Sequence, residues 1–216
     1  MQQDRSAPVR APRRGRPRSF DLDAAVAAAL STLWDKGYEA TTIEDLGRAT
    51  GLSPSSLYAA FGSKHGVLEA ALTRYDRDRE DLLRPLEHGS GGLDDLRGFL
   101  DAIRRGLTEP GHPGCFMVNT ATEVAPRDDR IAERAHRYRE RVRNGLAAAL
   151  DRAAARGELP AGDVEDTTSR ARLLQAALFG VQVTARSGAT EEALATVEAL
   201  SRQIERWAVP GPSPRH

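Results

Sequence analysis

The chain has 216 residues, 31 Lys and Arg against 31 Asp and Glu, a formal net charge of zero, and 40% hydrophobic residues. That length buries a sizeable core in one or two domains. One cysteine excludes an internal disulfide framework, no apolar run approaches the ~18 residues of a membrane span, and the charged N-terminus is unlike a secretion signal, so a soluble cytoplasmic protein without membrane association is expected.

The charge is unevenly spread. Residues 1–20 carry six Arg against Asp4, a net of +5. Residues 1–19 combine Pro and charge with almost nothing to bury and are expected to form a disordered basic arm. Such an arm ahead of a helical DNA reader follows phosphates or enters a minor groove, and Arg16 and Arg18 are its candidates. A solubilising tail has the same composition.

Asp21 to Lys36 reads as the first helix, with Val26, Leu30, Leu33 and Trp34 on one stripe and Gly37 ending it. Thr42 to Phe61 then reads as two short helices around a tight turn. Thr42 caps the first, Glu44 and Asp45 favour its dipole, and Ile43, Leu46 and Ala49 are assigned to its apolar face. Gly51 stops it. Ser53 caps the second, Pro54 takes its first position, and Leu52, Leu57 and Phe61 point back. This is a helix-turn-helix pattern, although an ordinary hairpin in an all-α core looks alike. Burying Leu57 leaves Ser55, Ser56, Tyr58 and Ala59 outward, where Ser reaches a base edge or phosphate and Tyr a phosphate. Ser63 caps a further helix, and Lys64 begins it against the dipole, a placement that suits a phosphate.

The stretch from Gly15 to Leu72 resembles the N-terminal DNA-binding domain of the TetR family of transcriptional regulators. The resemblance rests on Gly37-Tyr38, Ala40-Thr41-Thr42, the turn Gly51-Leu52-Ser53, the pair Leu57-Tyr58, and Phe61 followed by Ser63-Lys64. His65 stands where the family often has an acidic residue. The resemblance implies an all-α protein, with a helix-turn-helix domain at 20–66, a helical regulatory and dimerisation domain at 67–209, and a tail at 210–216. It implies a ligand-responsive repressor that binds double-stranded operator DNA as a homodimer and needs no cofactor.

Lys64 to about Glu87 reads as one long helix, with Val67, Leu68, Ala71, Leu72 and Tyr75 inward and a densely charged far half. In the family it joins head to body. His88 to Gly92 is a glycine-rich break and, by composition alone, the best boundary. Leu93 to Leu107 is helical, Glu109 to Gly114 is a loop, Cys115 to Val124 is an apolar helix, and Pro126 breaks it. Asp128 to Arg156 is the longest helix, followed by Asp163 to Arg186 and Thr190 to Val209. The last two carry long apolar stripes, including Leu178 and Leu200, and no further element to cover them, so a homodimer through these helices is expected.

The family places an effector cavity among the central helices. Phe99, Ile103, Phe116, Met117, Thr120, Tyr138 and Phe179 are the candidates for an unknown small molecule, being apolar with a few polar tips. Cys115, the only thiol, follows His112-Pro113-Gly114 at an expected helix start. A thiolate is favoured there, making Cys115 a candidate redox or electrophile sensor; a small buried residue is the plain alternative. His112 and Cys115 alone are poor evidence for a metal. No nucleophile elbow, metalloprotease motif, P-loop or dinucleotide fingerprint is present, which argues against an enzyme. A purely partner-binding helical bundle leaves the spacing of cap, Pro, Tyr and Lys unexplained.

Overall fold

The computed structural model describes residues 21–109, 112–160 and 164–209, without the side chains of residues 164–166. Arg16, Arg18, the rest of the arm and the 210–216 tail lie outside the described residues. Ten α-helices and one 3₁₀ turn form the described chain, with no strand among them. They are α1 Leu22–Lys36, α2 Ile43–Thr50, α3 Pro54–Phe61, α4 Lys64–Asp78, α5 Glu80–His88, α6 Leu93–Leu107, α7 Phe116–Glu123, α8 Asp129–Ala155, α9 Val164–Arg186 and α10 Thr190–Trp207. The expected all-α class holds.

Local chemistry sets the ends. Asp21 accepts from the backbone N–H groups of Asp23 and Ala24 and opens α1. Thr42 and Asp45 form a reciprocal capping box on α2, and Gly51 in the left-handed region, φ +69°, closes it. Ser53 and Ser63 accept from the third residue of α3 and α4.

Two sequence expectations change. The face of α2 turns on Ile43, Leu46 and Thr50, while Ala49 is exposed. Six residues advance a helix well past a whole number of turns, so i and i+6 diverge, whereas i, i+3 and i+7 stay together. The long helix from Lys64 is two helices, changing direction at Arg79. The change serves two cores. Val67, Leu68, Ala71, Leu72 and Tyr75 belong to the cluster built around α1–α3 and α7, whereas Leu83 and Leu86 belong to the body cluster with α6, α8, α9 and α10. Pro85 inside α5 gives Asp81 no i+4 N–H, which loosens the same segment.

The body is a helical stack in which α8 packs on α9 and α5, α9 on α10, and α10 on α6. The head is not an isolated unit, because Cys115, Phe116, Met117, Val118, Ile131 and Ala135 share its buried cluster. Polar contacts tighten that seam. The Glu123 carboxylate accepts the Tyr38 and Glu39 backbone N–H groups at 3.0 and 2.7 Å. Arg186 donates to the Trp34 and Asp35 carbonyls at 2.8 and 2.7 Å, satisfying two otherwise orphaned groups at the end of α1.

Candidate functional site

The helix-turn-helix presents α3 to solvent. Leu57 is its buried anchor, while Thr42, Ser53, Pro54, Ser55 and Tyr58 are exposed, Tyr58 by 51%. Ser56 is only half-buried outward, and its hydroxyl lies 2.9 Å from that of Ser53. The Ser53 hydroxyl also sits 2.9 Å from that of Ser55. The three serines thus form one small cluster at the start of α3, between the cap and the exposed face. Lys64 stands beyond the other end of α3, at the start of α4, with its ammonium 4.4 Å from the Tyr38 ring centroid and 3.4 Å from the Glu39 carbonyl oxygen. Among the described residues no carboxylate pairs with Lys64, so its charge is available to an anion. His65 instead faces acids, with Nδ1 3.3 Å from Asp128 and Nε2 3.4 Å from Glu69.

A second concave site lies where α4 turns into α5. It is a cavity of about 480 Å³ lined from α1, α4–α6, the 112–115 loop, α7, α8 and α9. Phe99, Ile103, Tyr138 and Phe179 line it as expected. Phe116, Met117 and Thr120 do not; they are buried on the side of α7 that faces the head. Phe116 packs its ring against Trp34 and Tyr75, with centroids 6.1 and 5.7 Å away. An eight-residue helix between two cores shows each only part of its surface, and Cys115 and Val118 are what α7 and its cap give the cavity.

Cys115 is buried, and the Tyr75 hydroxyl donates to its sulfur at 3.1 Å, with the Tyr138 hydroxyl 3.7 Å away. Burial, and then the neighbouring sulfur, push both tyrosines well above the ordinary phenol range, so they stay neutral donors. Gly114 precedes the thiol at φ +73°, and a Cβ there would sit 2.5 Å from the Gln182 carbonyl oxygen. That close approach brings the loop onto α9.

Similarity to known proteins now decides the family. Residues 25–71 match the bacterial regulatory proteins of the tetR family, and residues 92–199 match the tetracyclin repressor-like C-terminal domain. The HTH-type transcriptional repressor ComR of Escherichia coli (strain K12) is 36% identical over 197 residues, covering 88% of this chain and 91% of that protein. The chain belongs to the TetR family. A cysteine-substituted variant of the TetR family regulator CifR, complexed with 26 bp double-strand operator DNA, has a TM-score of 0.74 at 30% identity. It covers 89% of this chain and 100% of that one. A TetR regulator from Chloroflexus aurantiacus J-10-FL has a TM-score of 0.75 at 25% identity, covering 86% of this chain and 94% of that one.

This TetR protein is therefore a DNA-binding transcriptional regulator. Sequence reasoning missed several of its cavity residues, namely Trp34, Tyr75, Arg79, His112 and Gln182. A signal for one was present. Leu68, Leu72, Tyr75 and Arg79 keep a single helical register, so Arg79 occupies an inward position of α4. Among the described residues no helix is long and apolar enough to cross a membrane, and no group of three or more His, Cys, Asp or Glu is placed to hold a metal.

Proposed function

We propose that this regulator is a repressor that binds a near-palindromic operator as a homodimer and is released when a small molecule fills the 480 Å³ cavity. The observation that carries the reading is that α4 has the two sites at its two ends. Lys64 begins it beside the reading helix, and Tyr75 and Arg79 close it against the cavity. A ligand that prefers one position of that helix therefore shifts the population of DNA-competent heads.

Thr42, Ser53, Tyr58 and Lys64, with Arg16 and Arg18 of the arm, position the head on phosphates. Ser55 and Ser56 meet base edges, and Pro54 shapes the approach. The division into a DNA-binding domain at 20–66 and a regulatory domain at 67–209 fits this arrangement, as does a cytoplasmic place of action beside the DNA.

The dimer face is the outer stripe of α9. Leu173, Ala176, Gly180 and Val183 fall at i, i+3, i+7 and i+10 and are exposed, Leu173 by 58% and Val183 by 50%. Leu178 and Leu200 are 4% and 8% exposed and belong to the protomer's own core, so they do not carry the interface. Selection of bound DNA from a random pool tests the reading. Two related half-sites roughly one turn apart or slightly more, about 34–36 Å, are expected; enrichment of no sequence would overturn it.

A further inference from the structure

The cavity holds a cation that no carboxylate balances: Arg79 meets the Tyr75 hydroxyl and two aromatic rings. Arg79 is half-buried, with its guanidinium 5.5 Å from the Trp34 ring centroid and 5.0 Å from that of Tyr75. Its Nε is buried with no hydrogen-bond partner. Its contacts among the described residues are the Trp34 and Tyr75 rings and the Tyr75 hydroxyl, with no carboxylate among them. Several other half-buried arginines meet a carboxylate, although Arg186 meets two backbone carbonyls instead and the Nε atoms of Arg134 and Arg152 are unpartnered as that of Arg79 is. Arg74 meets Asp23 and Asp78, Arg97 meets Glu205, Arg134 meets Asp76, Arg141 meets Glu87, and Arg152 meets Asp95. A guanidinium stays charged at any accessible pH, and leaving it half-desolvated without a counter-charge is costly.

His112 makes the same point from the opposite wall. Its Nε2 is buried with no hydrogen-bond partner. Burial holds the imidazole below its ordinary value, and the Arg79 charge lowers it further against a Gln182 hydrogen bond. The neutral imidazole is favoured, with one ring N–H shared between the Gln182 side and the cavity side. The remaining wall is apolar and largely aromatic: Phe99, Ile103, Val142, Leu178 and Phe179. The charged mouth residues Arg105 and Glu109 are exposed and solvated.

We infer that the effector is a hydrophobic carboxylic acid, its carboxylate seated on Arg79 and His112 and its apolar body held among Phe99, Ile103 and Phe179. The inference rests on the effector reading of the cavity and names the ligand class. An anionic oxygen suits the Arg79 guanidinium, since a charge-assisted pair is the strong kind, and His112 joins it in the tautomer that carries its proton on Nε2. The aromatic wall accepts the rest without further polar contacts. Binding places the new ion pair at the last turn of α4, on the residue that turns the chain into α5.

The test uses the full chain with 2-naphthoate and decanoate as probes, each beside its primary alcohol, read by calorimetry and by operator release. The acids are expected to bind roughly 10- to 100-fold tighter than the matching alcohols. Arg79→Met removes that preference, and Arg79→Lys keeps part of it. Arg79→Met, rid of a half-buried cation that no carboxylate balances, melts no lower than wild type without ligand, which a purely structural Arg79 held by its Trp34 and Tyr75 contacts would not allow. If the alcohols bind as tightly as the acids, the carboxylate assignment falls and the effector cavity stands. If neither acids nor alcohols bind or release the operator, the carboxylate assignment and the cavity reading both fall.

Discussion

Lys64 is a cation at the start of a helix, where the dipole opposes it, and it is retained by the Tyr38 ring and the Glu39 carbonyl. On the proposed reading that geometry aims a point charge at a phosphate and carries no base information. Lys64→Ala should weaken every DNA sequence alike and lower the slope of log affinity against log salt by about one. Titrations at several salt concentrations measure it, and a changed base preference at constant slope would refute the assignment. Ser55→Ala should do the reverse, altering preference while leaving the slope in place. Most of this was legible, because caps, glycine stops and a proline at a first helical position are local chemistry. That Arg79 meets no carboxylate was not, since the absence of a counter-charge is a property of the packed fold and not of the residue.

The reading unit stands on α2, whose capping box is also an electrostatic node. The Asp45 carboxylate is 2.8 Å from Lys36 Nζ and 3.1 Å from Arg48, and it accepts the Thr42 N–H at 3.1 Å. Lys36 first, then the Thr42 N–H, holds its carboxyl below the ordinary 3.8. The contribution is complete above pH about 4, where the unfolded carboxyl is ionised, and fades as pH falls toward the folded value. Melts from pH 3 to 7 should therefore show α2 losing support at the acid end, and Asp45→Asn should flatten that dependence while lowering stability at pH 7. The hydrophobic side of the unit is Leu57, 1% exposed; Leu57→Ala should cost about 2–5 kcal/mol and abolish DNA binding through unfolding of the head. At this scale helix existence followed from periodicity. The turn at Arg79 did not, because it arises from two cores that lie on different sides of one charged segment.

For the whole molecule, the decisive surface is the α9 stripe that no other described element covers. Leu173→Glu with Val183→Glu should give folded monomers with weak operator binding, seen by sedimentation and by unchanged helix content. Leu178→Glu should instead unfold the body, because that side chain is 4% exposed inside the protomer. The expectation that the last two helices pair is carried into the proposed dimer by the exposed stripe of α9 alone. It named inward residues because the sequence shows two stripes on α9 without saying which one the protomer keeps.

Arg186, holding the end of α1 through the Trp34 and Asp35 carbonyls, belongs to the same α9 that carries the outer stripe. The clamp is a fulcrum. In the proposed dimer this clamp would fix the head to the dimer axis at one edge while α4 pushes at another, an arrangement that favours pivoting over sliding. The gap between two reading helices is then set by where that fulcrum sits. Arg186→Ala should turn a fixed calliper into a loose one. Operators with one base pair inserted between the half-sites, rejected by the wild type, should be bound by the variant at close to the affinity of the native spacing, in competition assays that vary only the insert.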